Sequence, residues 1–430
     1  MQADTVRNLG DFLILCSITN ELRNQDDSCE ILAVTILEPT EDDLRAYRQF
    51  GINILPPVFS KTLSLLSRIR RRTLAGLIHV LLVFACEVLY VEMLCWACGR
   101  NTSRSASSNR HISTLMAIRD ADAVISVGGD HFVSDTGASF GLIRALLEIR
   151  LARKMRNPAI MFGQSFGPIH QKWLRTLVRR ELSKAAMIVP REEESLRFLK
   201  TIGLGPNITI GADASFLLFK PELWFSEEQH AFKGGLRVGI APRRYTFSRD
   251  EREQRYQEEL YIKKLAEFAD SVALHGNNKI VFIAQNESEH ESDSAMIDKI
   301  RRSMRQGASV VPNSVPSSMV ELLERYACLD FLVTTRMHAG LCALLRGIPF
   351  VVIGYRPKCR GIMKMLGVER YLVDIRSFSS EDLHKLLAEM KSEYAVYRRQ
   401  IQNGGLKARK LARSSLEAGL KRVLQSKIRR

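Results

Sequence analysis

Short apolar runs that end in glycine or a polar residue recur along this chain, separated by segments of helical periodicity. The runs fall at Ile31–Leu37, Ala123–Val127, Ala159–Phe162, Met187–Val189, Ile208–Ile210, Arg237–Ala241, Ile280–Ala284, Phe331–Thr334, Phe350–Ile353 and Tyr371–Val373. Runs this short and uniformly apolar suit strands buried on both faces, while Leu174–Lys184 and Glu258–Leu274 repeat at the spacing of a helix. Such alternation predicts an α/β fold with parallel sheets and right-handed crossovers. The stretch Lys220–Gly235, with Pro221, a polar patch and Gly234-Gly235, reads as a boundary. It divides the chain into a Rossmann-like domain over 1–225, a second over 226–395, and a basic helical tail over 396–430.

At 430 residues the chain can bury two cores of ordinary size. Its eight cysteines are scattered, mostly inside apolar patterns, and read as reduced core residues. Cys95 and Cys98 form a close pair with no second pair or histidines nearby, so no metal site and no cofactor are expected. The start, Met1-Gln2-Ala3-Asp4, has neither the basic residues nor the apolar core of a secretory leader.

The net charge is +16, and residues 395–430 hold 11 Lys/Arg against the single Glu417. No zinc finger, helix-turn-helix or aromatic-studded sheet accompanies that charge, which argues against nucleic acid. A basic amphipathic helix on an anionic membrane surface and a solvated terminal helix both fit it. Leu74–Cys98 is long enough to span a bilayer, but Glu87 and Glu92 interrupt it. A buried or membrane-surface helix is the better reading, and Asn101–Arg110 reads as a loop.

Strand ends hold the polar residues. Gly128-Gly129-Asp130-His131 follows one run, with Asp135 close behind; Gly163-Gln164-Ser165 follows another. Pro190-Arg191-Glu192, Gly211-Ala212-Asp213 and Pro242-Arg243-Arg244 end three more. The richest segment is 331–361: Arg336, Met337 and His338 end one strand, and Arg356, Lys358 and Arg360 follow the next. In open α/β sheets ligands bind outside the carboxyl ends of strands, where helix N-termini also point. Several cations and one imidazole on such a rim suit a small, multiply anionic substrate.

These blocks carry a resemblance to the polysaccharide pyruvyl transferase family. It begins at Asn8-Leu9-Gly10-Asp11 and continues through Ala121–Asp130, Gly163–Pro168, Pro190-Arg191-Glu192 with Ser195, and Gly211–Phe216. It closes with Thr335-Arg336-Met337-His338-Ala339, Gly347-Ile348-Pro349 and Tyr355–Gly361. The resemblance implies two Rossmann-like domains facing across a cleft, GT-B-like, with the acceptor side in 1–225 and the donor side in 226–395. It implies phosphoenolpyruvate as donor, a glycan hydroxyl pair as acceptor, a cyclic pyruvate ketal as product and phosphate as leaving group. Two departures stand out. Met337 occupies a position where the family more often has Leu, and only seven residues precede Asn8, where the family has a strand. Either the start lies further upstream or the first strand is missing.

Phosphoenolpyruvate carries a carboxylate and a phosphate, so its pocket needs fixed cations; arginine forks suit both groups, and lysine offers a point charge. Arg336, Arg243 and Arg191 are the candidate clamps, with Lys358 neutralising phosphate as it leaves. Histidine suits proton traffic near neutral pH, which makes His338 the candidate acid/base. Met337 falls among the donor contacts. Asp130, Asp135, Asn8, Gly10, Asp11, Gln164 and His131 are candidates for the acceptor side. Each has a structural rival: Arg336 pairing a buried carboxylate, Arg191 neutralising Glu192–Glu194, Asp130 capping a helix. A GT-B nucleotide-sugar glycosyltransferase and a non-catalytic membrane-surface scaffold of a glycan assembly complex remain as alternatives. The expected location is cytoplasmic, with peripheral contact to the inner face of the plasma membrane and a lipid-linked form of the glycan acceptor both left open.

Overall fold

The computed structural model describes residues 2–3, 8–35, 38–59, 74–100, 110–134, 140–224, 235–288, 291–311 and 318–428. Its elements in chain order begin with β1 (Gln2–Ala3), α1 (Leu9–Gln25), β2 (Ile31–Thr35), α2 (Glu41–Gln49), β3 (Ile52–Leu55), α3 (Leu74–Arg100) and α4 (Arg110–Asp120). Next come β4 (Ile125–Val127), β5 (Phe132–Ser134), α5 (Phe140–Lys154), β6 (Ile160–Gln164), β7 (Phe166–Ile169), α6 (Lys172–Leu182), β8 (Met187–Pro190) and α7 (Glu193–Thr201). The second half holds β9 (Arg237–Ala241), α8 (Glu251–Leu274), β10 (Lys279–Ile283), β11 (Glu287–Ser288), β12 (Glu291–Ser292), α9 (Asp293–Ser303), β13 (Ser309–Val311) and α10 (Met319–Ala327). It ends with β14 (Phe331–Thr334), α11 (Met337–Leu345), β15 (Phe350–Gly354), α12 (Pro357–Leu366), β16 (Leu372–Asp374), α13 (Ser380–Ser392) and α14 (Tyr394–Ile428).

Two compact α/β units result. One comprises Met1–Val6, Ile18–Ala214 and Leu411–Arg430; the other comprises Arg7–Ser17 and Ser215–Lys410. This division differs from boundaries at 225 and 395 in three ways, the first being that the second unit already begins at Ser215. The segment carrying Asn8, Gly10 and Asp11 groups with the second unit, because Leu9 N–H donates to the Gln285 carbonyl at 3.0 Å and Asn8 bridges Asn286. The basic segment 396–430 is no detached tail. Tyr397, Ile401, Ala408, Ala412 and Leu416 recur at helical spacing and are all buried. The Tyr397 hydroxyl donates to the Phe350 carbonyl at 2.7 Å, and a Cβ on Gly405 would meet the Phe219 ring at 2.5 Å. Glycine there lets the helix approach closely.

In the first unit β1, β2 and β3 form one parallel sheet, β4, β6 and β8 another, and β5 pairs with β7. The strand before Asn8 is therefore present, as two residues paired to Val34 and Thr35. The expected strand at Ile208–Ile210 reduces to a single bridge to Ile188, although the chain stays beside β8, where the Gly211 N–H donates to the Pro190 carbonyl at 2.9 Å. β3, β5 and β7 lay outside the predicted runs.

The second unit is built on a six-stranded parallel sheet in the order β13-β10-β9-β14-β15-β16, beside which β11 and β12 form a short antiparallel pair. β14 and β15 are buried along their whole length, as uniformly apolar runs require. α11 is apolar on nearly every side and sits in the core, with Met337, Leu341, Cys342 and Leu344 buried. Each such side chain contributes about 1.5–3 kcal/mol of burial. From β9 the chain builds outward to β10 and β13, then crosses back to lay β14, β15 and β16 on the other side. The switch point thus lies between β9 and β14, where a crevice opens at the carboxyl edge.

Candidate functional site

Three loops leave that carboxyl edge side by side in the second unit. β9 runs into Pro242-Arg243, β14 into Thr335-Arg336, and β15 into Tyr355-Arg356-Pro357-Lys358. Thr334 pairs with Ala241, which puts the first two loops in register. Tyr261 from α8 ties them together: its hydroxyl accepts from the Arg243 N–H at 3.4 Å and bonds Thr335 Oγ1 at 2.8 Å. Burial pushes that hydroxyl up to about 12, with the Thr335 bond acting against it.

Tyr355 is the centre of a cationic cluster. The Arg243 guanidinium lies 4.3 Å from its ring centroid, Lys358 Nζ 5.7 Å and the Arg356 guanidinium 5.9 Å. Arg243 also donates through Nη1 to the Tyr355 hydroxyl and through Nε to the Arg244 carbonyl. Tyr245 packs against Tyr355 with centroids 5.4 Å apart. A ring face holds a cation in place without cancelling its charge. Lys358 stands in the first turn of α12, with Pro357 just inside the helix start, so the helix N-terminus adds its own positive end.

Arg336 is held differently. Its Nε donates to Asp293 Oδ2 at 3.0 Å and its Nη2 to Oδ1, and the Asp293 carboxylate is fully buried. Asp293 also accepts the N–H groups of Gln285 and Asn286, each at 3.0 Å. One carboxylate therefore joins the loop after β10 to the loop after β14. Arg336 keeps 12% of its side chain exposed at that edge. Met337, expected among donor contacts, is buried in the core, its methyl 3.5 Å from where a Gly340 Cβ would stand.

His338 sits in the first turn of α11, half-buried. The backbone of Gly10 presses on it so closely that a Cβ there would lie 2.6 Å from Nδ1. Asn8 donates to Asp11 at 2.7 Å, closing the turn that presents Gly10. Asn8, Gly10 and Asp11, expected on the acceptor side, thus belong with the imidazole of the second unit. The reason is the backbone pairing of residues 8 and 9 with 285 and 286.

The first unit gathers its own polar group at the carboxyl ends of β4, β6 and β8. Arg191 is only 1% exposed and is spanned by Asp213 at 2.7 Å, Asp130 at 2.9 Å, Ser165 at 2.8 Å and Glu192 at 3.4 Å. As a substrate clamp it is out of reach; it is the hub of a buried ion network. Burial pulls its basicity down, but Asp213, Glu192 and Asp130 outweigh that and hold it above the ordinary arginine range. For Glu192 burial wins instead: its carboxyl is raised, against the pull of Arg191 and the Ser195 hydroxyl. The opposite winners have one cause, since three carboxylates share one guanidinium and Glu192 makes the longest contact. Gln164 is wholly buried, donating to Ser126 Oγ at 2.7 Å, so its side chain meets protein rather than acceptor. Asp130 keeps 20% of its side chain exposed. His131 lies against Gly129, whose φ of +80° calls for glycine. Asp135 lies outside the described residues.

Tyr245, Tyr261 and Asp293 were not expected from the sequence, and Tyr355 stood in a family block without a role. Tyr355 had a signal, an aromatic residue beside three cations in one loop. Asp293 had none, since nothing in the chain links it to an arginine 43 residues later.

A sequence profile of the polysaccharide pyruvyl transferase family matches residues 8–357. The amylovoran biosynthesis protein AmsJ of Erwinia amylovora is 24% identical over 292 residues, 66% of this chain and 69% of that protein. Among solved structures, Anabaena HepE in complex with UDP-glucose superposes with a TM-score of 0.53 at 13% identity, covering 96% of both chains. The UDP-GlcNAc 2-epimerase of Neisseria meningitidis superposes at 0.51 and 11% identity, covering 97% of this chain and 99% of that one. At such identity these two establish a shared fold, the GT-B type, and nothing about the ligand.

Proposed function

The chain belongs to the polysaccharide pyruvyl transferase family, and from that premise we propose that phosphoenolpyruvate is its donor and a cyclic ketal on a glycan hydroxyl pair its product. As a family member it is an enzyme that transfers pyruvate to polysaccharide. The observation that carries the finer reading is the cluster of Arg243, Lys358 and Arg356 around Tyr355, at the switch point that also carries Arg336 and His338. Two anionic groups on one small donor need such a density of held cations.

In this scheme Arg243 and Lys358 receive the phosphate and carboxylate, and Arg336, fixed by Asp293, lines the pocket beside them. Protonated His338 delivers its proton to the terminal enol carbon, which becomes a methyl group, and the neighbouring carbon becomes electrophilic. A sugar hydroxyl oxygen bonds to that carbon and gives its proton to the now neutral imidazole. The carbon–oxygen bond to phosphate breaks with its electron pair going to the phosphate oxygen against Lys358, the second hydroxyl oxygen bonds to the same carbon to close the ketal, and its proton passes to the departing phosphate. In the first unit, Asp130 is the side chain proposed to meet a sugar hydroxyl, with Arg191 positioning it at 2.9 Å. Gln164 supports that loop through Ser126. The proposed compartment is the cytoplasm, where thiols such as Cys16, Cys95 and Cys342 stay reduced.

Titration calorimetry with phosphoenolpyruvate and a panel of UDP-sugars tests this reading. Saturable binding of phosphoenolpyruvate, retained in His338→Ala while phosphate release falls about 10²–10⁴-fold, is the expected result. Binding of a UDP-sugar in place of phosphoenolpyruvate overturns it in favour of a glycosyltransferase.

A further inference from the structure

Helix α3 has two unlike sides. Its inward side buries Val91, Leu94 and Cys95 in a cluster with Val58, Phe59, Leu115, Leu151 and Met155, and Glu87 is buried as well. Its outward side exposes Leu82 (60%), Leu89 (70%), Met93 (57%) and Trp96 (61%), with Tyr90 at 38%. The steps of seven, four and three residues between them stack those four on one face of a helix. From Leu82 to Trp96 that stripe is roughly 21 Å long at 1.5 Å per residue. It carries no charge: Glu87 points inward, and Glu92 sits at the margin, paired with Arg150 at 3.3 Å and with Lys154. Among the described residues no helix is long and apolar enough to cross a membrane. An apolar side left outward on a helix whose core side is already packed is a contact surface.

The surroundings of the stripe decide its partner. On α5, which shares the apolar cluster through Leu151, Arg150 and Lys154 divide the one carboxylate of Glu92, and Arg153 divides Glu181 with Arg180, so each group keeps a surplus of positive charge. The whole protein carries +16. A second copy would bring the same cations against one another, whereas an anionic lipid surface pairs them while taking up the apolar side chains. Trp96 and Tyr90 are the residue types that settle at a headgroup boundary. We propose that the outward face of α3 seats the protein on an anionic bilayer, lying in the interface rather than crossing it. Such a seat brings the enzyme to acceptors carried on lipid, yet it stands independently of the donor.

Vesicle flotation tests it without donor or acceptor. Wild type should float with phosphatidylcholine vesicles containing phosphatidylglycerol, and at least about tenfold less with phosphatidylcholine alone or in high salt. A Leu89→Glu/Trp96→Glu variant, checked for an unchanged melting curve, should stay at the bottom of the gradient. Brominated lipid should quench Trp96 emission in the wild type, an effect lost in Trp96→Phe; this arm needs no charged variant. Equal flotation of the double variant, indifference to lipid charge, or absence of quenching would overturn the proposal. So would a lipid-free dimer in sedimentation velocity that the double variant dissolves, which would give the face to a second copy.

Discussion

Both units end a strand in an arginine, and the two arginines have opposite lives. Arg191 lies under the surface with Asp213, Asp130 and Glu192 closed around it. Arg243 lies half-buried with its guanidinium over Tyr355. A carboxylate fixes a cation by neutralising it, and an aromatic face fixes it while leaving its field to act on a ligand. Position after a strand therefore does not define a clamp; the chemistry of the partner does. Arg336 stands between the two, paired with one buried carboxylate at the edge of the crevice.

The sharpest break between the two is substitution of each arginine. Arg191→Met should strand up to three buried or half-buried carboxylates and cost about 3–5 kcal/mol in denaturant unfolding. Arg243→Ala should leave the unfolding midpoint within about 0.5 kcal/mol of wild type and instead weaken phosphoenolpyruvate by about 1.5–3 kcal/mol, a loss of one or two charged hydrogen bonds. If Arg191→Met proved as stable as wild type but deaf to donor, the contrast would collapse.

Gly10→Ala carries the comparison to the imidazole. The added methyl group would stand 2.6 Å from His338 Nδ1 and 2.9 Å from Cγ, so the ring must shift. Turnover should fall about tenfold or more, since displacements near 1 Å cost up to ~10², with phosphoenolpyruvate affinity nearly kept. An unchanged kcat would show that the Gly10 turn does not position the ring.

The fold class was legible because buried parallel strands leave a blunt signal, uniform apolar runs cut by glycine. β3, β5 and β7 left less, being three or four residues long with mixed burial or a proline inside. Chain position also misleads: Asn8, Gly10 and Asp11 sit at the start of the sequence, but Asn8 and Leu9 pair with residues 286 and 285, a contact with no local trace. Arg336, His338 and Lys358 were readable as strand-end residues. What held Arg336 and His338 was not, because Asp293 and Gly10 reach their partners only through the fold.

The smallest expected effect lies inside the Arg191 network and concerns pH. Burial raises the Glu192 carboxyl above its ordinary value of 4.5 in the folded chain. Below that value both folded and unfolded chains hold the proton, and the group's favourable contribution is complete. As pH rises past it, the unfolded chain releases its proton first, so this contribution is lost until the folded value is passed. One proton limits the slope to about 1.4 kcal/mol per pH unit. Glu192→Gln removes the proton from play. Its unfolding free energy, measured against wild type from pH 4 upward, should therefore improve relative to wild type as pH rises. Parallel curves would mean that burial and the pull of Arg191 cancel at Glu192, and a variant that weakens relative to wild type as pH rises would mean that Arg191 holds Glu192 ionised.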